Sequence, residues 1–290
     1  MTCKFGLRRP TAKTMKSNFS RSAKSLLGVL VAICALSTWS LADAADEVVF
    51  RSKSGRVLTR EDLKNFSGKA DWEIHSGKLI PAQARRLHEL GQEAGSRGNS
   101  AAALAYFEQA TQLAPGWSYP KYDAAYTYLL QKDDDRAYQL YQEVDKMEPR
   151  GFFTVKTAVD VLKREREGKL PRGTYREYLA LEWAKDDAQK MRQLLALQRR
   201  VPQASIVWQE LAYLEKDPAK RLALIDKGLA ADGDIETRGF LLINKALTLN
   251  ELGRHGVAVN MLGELALDSS SSLGIEVMAK KSLANITEKE

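Results

Sequence analysis

The chain has 290 residues, 44% of them apolar, enough for one large domain or two smaller ones with a packed core. Its formal charge of +7 is concentrated in residues 1–44, where Lys4, Arg8, Arg9, Lys13, Lys16, Arg21 and Lys24 face a single acid, Asp43, so residues 45–290 carry a net +1. That balance argues against a nucleic-acid reader, which keeps a basic field on its folded domain. Both cysteines, Cys3 and Cys34, also lie in the first stretch, which leaves the remainder without a disulfide, a thiol nucleophile or a Cys-based metal site.

Residues 26–36 form an apolar run of 11, preceded by Lys16, Arg21 and Lys24 and followed by the small-x-small tripeptide Ala42-Asp43-Ala44. A positive flank, a short apolar stretch and a small-residue site make a secretory signal peptide over 1–44, with cleavage expected after Ala44. The run is shorter than the roughly 20 residues that span a hydrocarbon core. An uncleaved anchor is the alternative, and Met15 is a second candidate start. The expected location is therefore the periplasm or the cell exterior, with no stable membrane span after cleavage.

Residues 45–80 read as a partly extended N-terminal arm. Val48-Val-Phe50, Val57-Leu58 and Asp71-Trp-Glu-Ile-His75 are short apolar pieces, and Thr59 with Asp62 predicts one short helix ending near Phe66. From Pro81 to about Ile286 apolar residues recur at three and four positions, as in Met191, Leu194 and Leu195. The predicted helices are 81–97, 100–113, 120–131, 134–147, 151–166, 174–184, 187–200, 204–215, 218–230, 235–252, 255–267 and 273–286. Gly98-Asn99, Asp133-Asp134, Asp186-Asp187, Asp217-Pro218 and Gly253-Arg-His-Gly256 punctuate them. No window of this stretch alternates strongly enough for a sheet, so the fold class is all-α.

The helix pairs repeat. Leu87, Leu90, Gly91 and Ala94 are followed by Ala103, Phe107, Ala110 and Pro115. Ala124, Ala125, Tyr128, Ala137, Tyr141 and Pro149 follow the same plan, with Pro149 34 residues after Pro115. Trp208, Leu211 and Ala212 begin a further unit, Leu242, Ala246, Leu249, Gly253, Ala258 and Leu262 another, and Leu181, Leu194 and Pro202 mark a weaker one. This pattern resembles the tetratricopeptide repeat, a helix hairpin whose small residues sit where the two helices cross. The resemblance implies a right-handed superhelix (an α-solenoid) over 81–290, with the concave face lined by the first helix of each pair and a capping helix at the C-terminus. Pro149 to Pro202 is 53 residues, 19 beyond one period, so the helix near 151–166 is either an insertion or a shift of phase.

Positive signs of catalysis are few. His75, His88 and His255 are far apart, no His-Glu-x2-His pair or phosphate loop is present, and the aspartate clusters at 133–135 and 186–187 fall at helix starts, where carboxylates cap. No catalytic residue, metal or cofactor is assigned. Tyr119, Tyr122 and Tyr126 share one side of a helix at i, i+3 and i+7, and Arg85, His88 and Gln92 take the matching places one unit earlier. These six form the candidate concave binding surface for a protein or peptide. The open alternative is that the tyrosines pack against the next helix or against 151–166. The expected function is a non-enzymatic protein- or peptide-binding scaffold. A structural subunit of an envelope assembly, or an enzyme acting on cell-wall or sugar polymers, are the alternatives.

Overall fold

The computed structural model describes residues 47–52, 56–58, 70–75 and 80–287. The expected signal peptide at 1–44 and the short helix expected at 59–66 lie outside the described residues. The arm forms a small antiparallel sheet. Strands β1 (Glu47–Ser52), β2 (Val57–Leu58) and β3 (Ala70–His75) take the order β2-β1-β3, with Val49 opposite Glu73 and Phe50 opposite Trp72. The extended pieces read from the sequence are thus paired, as suits Val, Ile and aromatic residues on a pleated surface.

Twelve α-helices follow among the described residues. They are α1 (Ala82–Ser96), α2 (Ser100–Leu113), α3 (Ser118–Leu130), α4 (Asp134–Met147), α5 (Val155–Arg166), α6 (Thr174–Ala180), α7 (Asp187–Arg200), α8 (Ser205–Leu214), α9 (Pro218–Ala230), α10 (Ile235–Glu251), α11 (His255–Leu267) and α12 (Leu273–Thr287). A 3-10 turn, Leu181–Trp183, continues α6. Side chains of Asn99, Asp133, Asp186, Asp217 and Asp234 accept first-turn amides of α2, α4, α7, α9 and α10, as expected for carboxylates and amides at helix starts. Asp134 and Asp135 also pair with Arg176 and Arg166, which ties α4 to the elements that follow. Helix α5 begins at Val155 rather than at 151, because Gly151 (φ 96°) and Phe153 (φ 48°) hold the preceding chain in left-handed backbone.

The hairpin crossings explain the small residues. A Cβ on Gly91 would lie 2.5 Å from the Phe107 ring, while Ala103 and Phe107 are wholly buried. Ala125, Ala137 and Tyr141 repeat the arrangement in α3–α4, and Gly228 lies against Leu241 and Trp208. Residues 34 apart occupy like places: Gly91 with Ala125, Ala212 with Ala246, and Leu194, Gly228 and Leu262 in succession. Helix α5 packs on α4 as α3 packs on α2, and α7 keeps the register of the later second helices. The stretch between α5 and α7 holds α6 and the 3-10 turn, so the interval from Pro149 to Pro202 contains three helices where a hairpin has two. Glu165 of α5 anchors this stretch by accepting the amides of Gly173 and Tyr175, both at 2.7 Å.

Candidate functional site

Helix α3 supplies the tyrosine row, and the chain just before α5 meets it. Tyr119 packs between Trp117 (ring centroids 5.9 Å apart), Phe152 (4.9 Å) and Phe153 (5.6 Å). Tyr122 contacts Tyr141, Phe152 and Phe153, and its hydroxyl lies 3.2 Å from Thr154 Oγ1, which is also 3.2 Å from the Tyr175 hydroxyl. Burial raises the Tyr122 phenol well above its ordinary pKa, partly offset by the Thr154 bond. Tyr119 and Tyr122 thus both pack against residues 152–154, the alternative the sequence left open. Tyr126 differs. It is half-buried, its hydroxyl finds no hydrogen-bond partner among the described residues, and burial followed by the charges of Glu182 and Asp123 raises its pKa.

The matching residues of α1 divide similarly. His88, expected on the inner face, is 2% exposed. Its Nε2 lies 2.8 Å from Asp123 Oδ2, to which Gln92 Nε2 also donates at 2.7 Å, and its ring packs on Trp117 and Phe107. His88 and Gln92 therefore join the first hairpin to α3, and His88 is corrected from a ligand-facing residue to a buried, satisfied one. The physical reason is Asp123, an acid between Tyr122 and Ala124 that reaches back one repeat to accept both side chains. Arg85 is exposed, with its Nε 3.5 Å from the Ile80 carbonyl.

Several residues of this surface escaped sequence reasoning. Phe153 is held at positive φ, a strained state for a bulky side chain, and is 38% exposed. Trp183 on the 3-10 turn is 54% exposed. Its neighbour Glu182 is exposed by surface area, yet desolvation by the packing around it, then the charge of Glu210, pushes its carboxyl up against the opposing pull of Lys190. Lys190 is paired with Glu210 at 2.5 Å, and the Glu210 carboxylate lies 3.5 Å from the Tyr178 hydroxyl. The only sequence signal for Phe152 and Phe153 was a doubled aromatic just after Pro149.

The remaining repeat residues build the frame. Leu87 and Leu90 are half-buried at the first crossing, and Pro115 and Pro149 are exposed beyond α2 and α4. Tyr128 lies beneath the Arg136 guanidinium at 5.4 Å, and Trp208 donates to the Pro202 carbonyl at 2.7 Å. Among the described residues no group of three His, Cys, Asp or Glu side chains converges as metal ligands would, and no helix is long and apolar enough to cross a membrane.

Residues 84–116 match the sequence model of the tetratricopeptide repeat. No curated protein matches the chain. Similar solved structures include MamA from residue 41 onward from Desulfovibrio magneticus RS-1, 16% identical over 64% of this chain and 94% of that one, with a TM-score of 0.31. Yeast Tom70 is 19% identical over 71% of this chain and 40% of its own (TM-score 0.32). The TPR2AB domain of yeast Sti1, solved as a complex with pHSP90, is 13% identical over 69% and 86% respectively (TM-score 0.31).

Proposed function

We propose that this chain, whose residues 84–116 match the tetratricopeptide repeat, is a non-enzymatic scaffold that holds an extended protein or peptide segment on the inner face of its helix pairs, after export to the periplasm or the cell exterior. The observation that carries the reading is a set of partly accessible aromatics on successive elements: Tyr126 of α3, Phe153 before α5, whose ring packs on Tyr119 and Tyr122, and Trp183 after α6. Tyr126 is half-buried, Phe153 and Trp183 are exposed, and Phe153 rests on an aromatic floor of Tyr119, Tyr122 and Phe152. Aromatic side chains supply large contact area with few rotatable bonds, and such anchors dominate binding energy when a partner desolvates them. The floor is already ordered by the Tyr122–Thr154–Tyr175 hydroxyl chain, so a partner bound there meets a preorganised surface. Export rests on the N-terminal segment, with its basic flank, short apolar run and Ala42-Asp43-Ala44.

The test is a quantitative capture from the native envelope fraction, comparing the wild-type chain with a Tyr126→Ala/Trp183→Ala variant. Helicity and melting should stay unchanged. A captured partner should lose about 2 kcal/mol or more of affinity, roughly 30-fold in Kd. Equal capture by both proteins would exclude this surface. N-terminal sequencing of the exported form should begin at Ala45, and recovery of an intact leader would overturn cleavage.

A further inference from the structure

The apolar interior is divided. One cluster runs from Ala125 and Leu129 of α3 through Val155 and Val161 of α5 to Val207 and Trp208 of α8. A second belongs to α10–α12, with Ile243, Ala246, Leu262, Ile275 and Ala279. Among the described residues the bridge between them is a small cluster of Ala212, Ile225 and Leu241.

Where the chain before α5 meets the starts of α10 and α12, the contact is polar instead. The Leu273 amide donates to the Arg150 carbonyl at 2.8 Å, and the Arg150 guanidinium pairs with Glu276. Gly151 lies so close to Glu236 that a Cβ there would stand 2.5 Å from Oε1 and 3.2 Å from Ser272 Cβ. Ser272 lies beside Glu236 and favours its ionised form, and the Thr157 and Thr237 hydroxyls lie 3.5 Å apart. A seam of this kind, polar and flanked by two separate apolar bodies, is where a fold opens at least cost.

We propose that the seam is a proton-controlled clasp: with Glu236 protonated it holds residues 150–151 against α10 and α12, and loss of that proton lets α10–α12 swing away from the α3–α8 body and widen the inner face. Glu236 is buried and forms no ion pair among the described residues. Its own helix offers no donor, because the Glu236 and Thr237 amides are taken by Asp234. The charged groups that face it are already engaged or repel it. From α4 comes Asp145, paired with Lys156 of α5 at 2.9 Å. From the loop comes Arg150, held by Glu276 of α12, which Lys280 also binds. Asp160 of α5 lies against Arg164, and Asp234 of α10 adds negative charge.

Burial first, then Asp234 and Asp145, pushes the Glu236 carboxyl up to about 7, while Ser272 and Lys156 pull it down. Glu276 behaves oppositely: burial works to raise it, but Lys280 and Arg150 hold it below its ordinary value, so its charge stays the same over this range and does not supply the pH response. A carboxyl whose closed-state pKa exceeds its solvated value favours closure below the solvated pKa, and that advantage fades as pH rises to about 7. Between pH 5 and pH 8 the closed-to-open ratio should fall roughly 70-fold.

The test uses the full chain with Cys3→Ser and Cys34→Ser, carrying spin labels at Gln112→Cys and Leu267→Cys, two exposed positions in α2 and α11. Distance distributions by pulsed electron resonance should gain a longer component as pH rises from 5 to 8. Glu236→Gln should keep the short distance throughout. Gly151→Ala, which forces a methyl onto Glu236 and Ser272, should show the long distance even at pH 5. A pH-independent distance in the wild type, an unchanged pH response in Glu236→Gln, or a closed Gly151→Ala would each overturn the clasp. None of these outcomes bears on which partner the aromatic surface holds.

Discussion

In the α1–α2 hairpin, Phe107 lies over Gly91 with Ala103 and Ala110 buried beside it, and the contact is wholly apolar. Where α5 meets the later repeats, Arg164 is buried instead. It donates to the Asp232 carbonyl and, at 3.1 Å, to the Gln203 carbonyl, and its Nε is unmet among the described residues. The first contact joins residues 16 apart in the chain and the second residues 39 and 68 apart. The hairpins are thus locally specified and held by packing. The contact of α5 with the later segments adds a few directional bonds to the apolar bridge of Ala212, Ile225 and Leu241, and the cost of desolvating them nearly matches what they return.

Phe107→Ala should cost about 3–5 kcal/mol in urea denaturation followed by circular dichroism, because a wholly buried aromatic leaves a cavity over Gly91. A cost under about 1 kcal/mol would mean the crossing does not hold the hairpin.

The seam should respond to pH where the hairpins do not. Raising pH from 5 to 8 should lower global stability by about 2–3 kcal/mol through Glu236, whose folded-state value near 7 exceeds its unfolded one. Its stabilising effect is complete below the unfolded value and gone above about 7. The difference between wild type and Glu236→Gln isolates this part, because burial-raised Asp160 and Glu165 push in the same direction.

Arg164→Met sharpens the contrast further. Losing the donors to Asp232 and Gln203 should cost about 1–3 kcal/mol. A gain in stability would show that desolvating the guanidinium outweighs its bonds. The smallest effects separate the tyrosines. Tyr122→Phe, which removes the bond to Thr154, should cost about 1 kcal/mol, while Tyr126→Phe should stay within about 0.5 kcal/mol of wild type. Equal costs would contradict their different surroundings.

The helices and their capping carboxylates were readable because both are local. Three- and four-residue spacing, Asp133, Asp186 and Asp217 at helix starts, and small residues at 91, 103, 125 and 137 act within one hairpin. The candidate site was readable only in part. The i, i+3, i+7 spacing put three tyrosines on one side of α3, but could not tell that Phe152, Phe153 and Thr154 cover two of them and leave Tyr126. Nor could it show that His88 turns inward, since that depends on Asp123 35 residues later.

By itself, then, the sequence determined the helix pairs, their 34-residue period and the basic leader, because each is set by interactions between near neighbours in the chain. Only the tertiary structure decided how α6 and the 3-10 turn sit between α5 and α7, which aromatic partners each tyrosine meets and how the two apolar bodies meet. Those depend on contacts between residues tens of positions apart, such as Arg150 with Glu276, and no local pattern encodes the distance between them.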